Sequence, residues 1–148
     1  MALLLVTVTS CKSKMEGTPE QNFGKQSYYT ALSDGPKSNI ENKGVRLITN
    51  DRELQEVYVK INSTRKPIIE IPEVNWNNQT VIAAFAGRKS TAGYSLEIYQ
   101  VREREKERIY QFAEIPSSSA ADVVSTVITT PYMIVLVNND GKKITASF

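Results

Sequence analysis

The chain of 148 residues contains no histidine and a single cysteine. Without histidine the commonest general base and the commonest metal ligand are missing. Neither a Ser/His nor a Cys/His catalytic pair is available, and one cysteine excludes an intrachain disulfide. Charge of one sign is also lacking: the net charge is +2. The densest charge run, Arg102-Glu-Arg-Glu-Lys-Glu-Arg108, interleaves acids with bases, which a phosphate backbone does not favour, so nucleic acid is not expected as a partner. No metal or cofactor is expected, and no catalytic residue is assigned. The apolar fraction of 41% and charged fraction of 23% are those of an ordinary globular domain. The length suits one such domain, and no internal repeat is present.

The longest apolar run past the N-terminus, Thr80-Val-Ile-Ala-Ala-Phe-Ala-Gly87, suits a strand covered on both faces. After it comes Arg88-Lys-Ser-Thr-Ala-Gly-Tyr94, with cations, hydroxyls and a second glycine. Ser95-Leu-Glu-Ile-Tyr-Gln-Val101 then alternates, Tyr94, Leu96 and Ile98 on one face and Ser95, Glu97 and Tyr99 on the other. A polar loop is thereby presented at the end of a buried strand.

Ser27–Leu32 and Gly44–Thr49 have strand composition, and Ser33–Asn39 is dense in turn formers. Asn50 caps a helix over about 51–61, with Glu53 completing a near capping box. Leu54, Val57, Tyr58 and Ile61 form its apolar stripe, opposite Arg52, Gln55, Glu56 and Lys60. The helix is expected to pack on a sheet, with Tyr58 in the core. Asn62 and Asn78 fit the glycosylation pattern but read as a helix end and a turn residue. Pro67–Ile71 reads as a short strand, and Trp76 as a plug at one end of the core.

Tyr94–Val101 and Glu107–Ile115 read as a hairpin around a solvated charged turn. Pro116–Asp122 reads as a loop and Val123–Thr130 as a β-branched strand. Tyr132–Val137 is expected to pair with Lys143–Phe148 across the turn Asn138-Asn-Asp-Gly141. The expected fold is mainly β (α+β): an antiparallel β-sandwich or partly open barrel of about eight strands with one helix packed on it.

The apolar start Met1–Ser10 is short of the about 20 residues that span a bilayer and reads as a secretory signal. Val8-Thr-Ser-Cys11 resembles a bacterial lipobox, which implies cleavage before a lipidated Cys11. Residues 1–10 are then a signal peptide, 11–26 the lipid anchor and a flexible tether, and 27–148 the folded domain. Each buried CH₂ of the lipid contributes about 0.8 kcal/mol to anchoring. The domain is expected in the cell envelope, on the outer membrane or the outer face of the inner membrane.

Gly87-Arg-Lys-Ser-Thr-Ala-Gly-Tyr-Ser-Leu-Glu-Ile98 resembles the C-terminal domain of the PrcB family of protease-complex lipoproteins. That family has an apolar strand, a glycine, a short stretch with proline, Thr-Gly-Gly-Tyr and an alternating strand. A later Pro-Tyr dipeptide is matched by Pro131-Tyr132. The loop at 33–40 and the helix at 51–61 also fall where the family has them, so the resemblance covers about residues 27–148. Ser90 stands where proline is usual, Ala92 where the first glycine of the pair is usual, and Asn39 where glycine is usual. Asn tolerates a left-handed backbone; alanine at such a position is strained.

The resemblance implies a lipid-anchored accessory protein whose partner is a protein, a secreted protease in the founding member. Its contact loop is expected at Gly87, Arg88, Lys89, Ser90, Thr91, Gly93 and Tyr94. The alternative to that loop as a contact is a solvated crossover with Tyr94 turned to the core. A shorter likeness to chagasin-type cysteine-protease inhibitors gives a second reading, in which loops 33–40, 87–93 and 116–122 converge at one end. A third reading, an envelope hydrolase, draws on Glu97, Glu114 and Asp122, or on Ser90 with Lys89. It requires two carboxylates at a defined separation around a cleft.

Overall fold

A computed structural model describes residues 28–116 and 126–148. Residues 1–27, where the sequence predicts a signal peptide, a lipidated Cys11 and a tether, and residues 117–125, Asp122 included, lie outside the described residues. Seven strands are found among those described: β1 (Thr30–Gly35), β2 (Gly44–Ile48), β3 (Gln79–Phe85), β4 (Tyr94–Glu103), β5 (Glu107–Pro116), β6 (Tyr132–Asn138) and β7 (Lys143–Ser147). One helix, α1 (Asp51–Asn62), joins β2 to β3. The strands form a four-stranded sheet in the order β1-β6-β3-β2 and a three-stranded sheet in the order β4-β5-β7. The fold is sandwich-like α+β, and no barrel closes among the described residues.

Three layers result. Val81, Ala83, Phe85, Tyr132 and Ile134 of the larger sheet pack with Leu54, Val57, Tyr58 and Ile61 of α1. From the other face of the same strands, Ile82, Ala84, Val135 and Val137 meet Leu96, Tyr110, Phe112 and Ile144 of the smaller sheet. β3 is therefore covered on both faces, as its unbroken apolar run predicts. Its residues from Val81 to Phe85 are at most 1% exposed.

The helix forms where its local signals put it. Asn50 accepts from the Glu53 amide (3.0 Å), and the Glu53 carboxylate accepts from the Thr49 amide (3.2 Å). The first bond satisfies an orphan donor of the first turn, and the second ties the residue before the cap to the helix. The four stripe residues are buried and Tyr58 is core. Asn62 ends the helix, and its side chain clamps both backbone groups of Ile69 at 2.9 Å. Trp76 packs against the helix-side core and donates to Asp51 (2.8 Å), which ties the chain back to the first helical turn.

Several expectations are corrected. Pro67–Ile71 forms no strand; Asn62 holds Ile69 instead of a neighbouring strand holding it. β1 runs on through Ser33, Asp34 and Gly35, because pairing with Ile134, Met133 and Tyr132 overrides their turn composition. Of Val123–Thr130, the described residues contribute only isolated bridges at Thr129 and Thr130. The largest correction is β7. It pairs with β5, in parallel, and not with β6. β6 is flanked on one side by β1 and on the other by β3, so neither edge is open to a returning strand. The turn at 138–141 therefore carries the chain from one sheet to the other.

β4 and β5 form the expected hairpin around residues 104–106. A bulge between Ile98 and Gln100 shifts the alternation. Leu96, Ile98 and Val101 face the core, and Tyr99 is left 53% exposed.

Candidate functional site

The inward row of β5 runs Arg108, Tyr110, Phe112, Glu114, opposite Glu103, Val101, Ile98 and Leu96 of β4. Two aromatics fill its middle and a charge stands at each end. These two charges organise the two ends of the sandwich.

The end at Glu114 gathers three connections: β1 to β2, β3 to β4, and the segment entering β6. The last of these stitches the other two together. Lys89 and Thr129 exchange backbone hydrogen bonds (2.8 and 3.0 Å), and the Thr129 hydroxyl donates to the Thr91 carbonyl (3.0 Å). The Thr130 hydroxyl accepts from the amides of Ser38 and Asn39, both at 3.0 Å. The Thr130 amide donates to the Pro36 carbonyl (2.8 Å), and the Ala86 amide to the Pro131 carbonyl (2.9 Å). Loops 33–40 and 87–93 thus share one end of the fold. Residues 117–122, the third loop of the inhibitor reading, lie outside the described residues.

The contact-loop residues separate into two groups. Gly87 is buried at φ +75°, and an added Cβ would lie 2.8 Å from the Lys43 nitrogen and 2.9 Å from the Glu41 oxygen. The close approach this glycine permits is to the chain's own backbone. Lys89 is bound to Glu114 and stands 5.4 Å from the Tyr94 ring centroid. Tyr94 and Thr91 are half-buried. Arg88, Ser90 and Gly93 are exposed, and Arg88 meets Glu41 only at 3.8 Å. The outer surface of the loop is therefore Arg88, Ser90 and Gly93, and the remaining residues fix its shape.

The substitutions relative to the family pattern are accommodated. Asn39 takes φ 60°, whereas Ala92 is not among the residues with positive φ. The Asn39 amide group also donates to the Lys60 carbonyl (2.8 Å), Ser63 (3.1 Å) and Thr64 (3.0 Å). It closes the C-terminus of α1, a task a glycine cannot perform.

Sequence reasoning did not find Lys43 or assign Glu114 its position. The Glu114 carboxylate accepts from Lys43 (2.7 Å) and Lys89 (2.5 Å). Burial pushes its carboxyl up, but the two lysine bonds outweigh burial and hold it below the usual range. It stays ionised and is not poised to donate a proton. Glu97 lies opposite Ala113 while Glu114 lies opposite Leu96, so these two carboxylates project from opposite faces of the sheet. Lys89 is engaged by Glu114 and not by Ser90. A groove on α1, lined by Arg52, Gln55, Glu56, Val59 and Lys60, holds a single carboxylate. Among the described residues no three His, Cys, Asp or Glu side chains gather as a metal site.

At the opposite end, Arg108 is 7% exposed. It binds Glu103 (2.9 Å), Asp140 (3.4 Å) and the Asn138 carbonyl (2.8 Å). Lys142 also binds Glu103. Hydrogen bonds from Lys142 and then Arg108 lower the Glu103 carboxyl to about 2. Arg108 stands over the Tyr28 ring (5.5 Å), and the Tyr110 hydroxyl donates to the Tyr28 carbonyl (2.8 Å). The chain therefore enters the fold at this end.

The framework so far is a three-layer α+β domain with its stitched loops at one end and its chain entry at the other. Residues 80–138, from β3 through β6 and including the whole loop, match the family model described as PrcB C-terminal, and the PrcB-type resemblance stands on that match. No curated protein and no solved structure matches the chain.

Proposed function

We propose that this protein is a non-enzymatic accessory module that binds a protein partner through its loop end, in the manner of a subunit of a secreted-protease complex. The stitching of loops 33–40 and 87–93 by Thr129 and Thr130 carries this reading. It fixes Arg88, Ser90 and Gly93 on a pre-organised surface, so little entropy is lost when a partner docks. The family match supports the same class of role. In this reading Cys11 carries lipid and the domain sits in the cell envelope. Entry of the chain beside Arg108 then attaches the tether at the end opposite the loops, roughly the 20 Å length of a seven-residue strand away.

Capture of the partner from the native envelope tests the reading. Arg88→Ala and Ser90→Ala are expected to weaken the complex without loss of folding, and an undiminished complex removes the loop from the account. Cys11→Ala should release the protein from the membrane fraction; retention there would remove the lipid anchor.

One observation favours a protease inhibitor of the chagasin manner as the second reading: two of its three loops converge at one end. Inhibition of a papain-like protease, lost on Arg88→Ala, would select it.

A further inference from the structure

The two ends differ in charge balance. Beside Arg108, two cations meet two carboxylates, Glu103 and Asp140. Beside Glu114, two ammonium groups share one carboxylate, Lys43 on Oε1 and Lys89 on Oε2. The neighbouring pair Arg88 and Glu41 is neutral in sum. Counted over side chains, the cluster around Glu114 thus keeps one uncompensated positive charge. Each ammonium has three N–H donors, and each gives one to Glu114. Both are also held over rings, Lys43 at 4.4 Å from the Phe148 centroid and Lys89 at 5.4 Å from that of Tyr94. Such contacts restrict side chains that otherwise lose much freedom on binding. The Lys43 side chain is 51% exposed, Lys89 24% and Glu114 17%, so Lys43 faces outward, Glu114 inward, and Lys89 reaches solvent only at its edge.

We propose that Lys43 and Lys89 form a receptor for an acidic side chain of the partner protein, an inference that rests on the loop end being the contact surface. A carboxylate arriving from solvent takes a second N–H from each ammonium and balances the cluster. Glu114 aims and spaces the lysines without meeting the partner, which makes it a positioning residue.

The full chain is titrated with an end-capped tetraglutamate peptide at low salt, with tetraglutamine as the neutral control, and the Lys43 and Lys89 amide signals are followed. Tetraglutamate should move them and tetraglutamine should not. Lys43→Gln, at an exposed position, should weaken the response about tenfold. Glu114→Gln, which leaves the two ammonium groups unaimed, should weaken it several-fold although it adds a positive charge, with Glu114→Asp restoring part of the response; tightening in Glu114→Gln would show that Glu114 only neutralises the lysines and would overturn its positioning role. Equal response to the two peptides, or a response untouched by Lys43→Gln, overturns the inference. The captured partner separates this claim from the broader one. A complex lost with Arg88→Ala and Ser90→Ala but unaffected by Lys43→Gln sinks the receptor and leaves the loop surface. A complex unaffected by all three sinks both.

Discussion

The two ends of the sandwich use the same device for opposite purposes. Each caps the aromatic row of β5 with a charge and clamps it with partners from other elements. At the entry end the clamp is closed: Arg108 is nearly buried, its carboxylates are matched, and Tyr28 lies over it. At the loop end the clamp is open: the buried member is the carboxylate, and half of Lys43 faces water. A buried cation with matched acids serves to lock a strand end, while a buried acid with surplus cations serves to hold cations outward. Placing a charge at the edge of an apolar row is costly unless it is paired, so both ends must be satisfied internally before either can serve a partner.

The sharpest way to break the contrast is at the closed end. Arg108→Ala removes the partner of two carboxylates and the cover of Tyr28, and should cost about 3 kcal/mol in denaturant unfolding. A loss no larger than that of an exposed ion pair would mean that the two ends are alike. Next is Gly87→Ala, where a Cβ meets backbone at under 3 Å and φ is +75°. About 2 kcal/mol should be lost, with partner binding impaired through loop shape. A stable variant would show that the crossing of 41–43 over 87 is loose. Thr130→Val removes the acceptor of the Asn39 amide and one of the two acceptors of the Ser38 amide, which keeps the Thr130 carbonyl, and should cost roughly 1–2 kcal/mol, read by thermal melting. It should also raise hydrogen exchange at Asn39, and unchanged exchange there would show that this loop is not held by the Thr130 hydroxyl.

Smaller effects sharpen the comparison through pH. The folded carboxyl of Glu103 lies at about 2, below its unfolded value of about 4.3. Its contribution is fully present above the unfolded value and is lost as pH falls through the folded one. Acid titration of stability should therefore steepen between about pH 4 and pH 2, and Glu103→Gln should flatten that limb. Identical acid limbs would place the entry clamp outside the stability balance. The smallest effect is expected in the helix-side core. The Tyr58 hydroxyl is buried without a hydrogen-bond partner among the described residues, and burial and Tyr132 push its pKa up to about 12. Tyr58→Phe should be neutral or stabilising by up to about 1 kcal/mol. A clear loss of stability would reveal a bond to that hydroxyl.

What could be read from the chain follows the range of the interactions. The helix was legible because its cap, its box residue and its stripe all lie within twelve residues of one another. The hairpin of β4 and β5 was legible for the same reason. β3 declared its double burial through composition alone. The partner of β7 was not legible, since a strong turn signal fixes a bend and leaves open which strand edge is free. Nor was the bulge at Tyr99, which depends on register with β5. In the candidate site, Gly87 and Gly93 marked a loop correctly. The identity of the atoms Gly87 approaches required knowing that residues 41–43 pass beside it.

By itself the sequence settled the mainly β composition, the helix and its buried face, and the lack of histidine chemistry, because these depend on residue type and on spacing along one element. Only the tertiary structure decided that Lys43, Lys89 and Glu114 meet, that Glu97 and Glu114 part, and that loops and chain entry stand at opposite ends. Those are relations between strands far apart in the chain, and pleat, register and strand order fix them only once both sheets have formed.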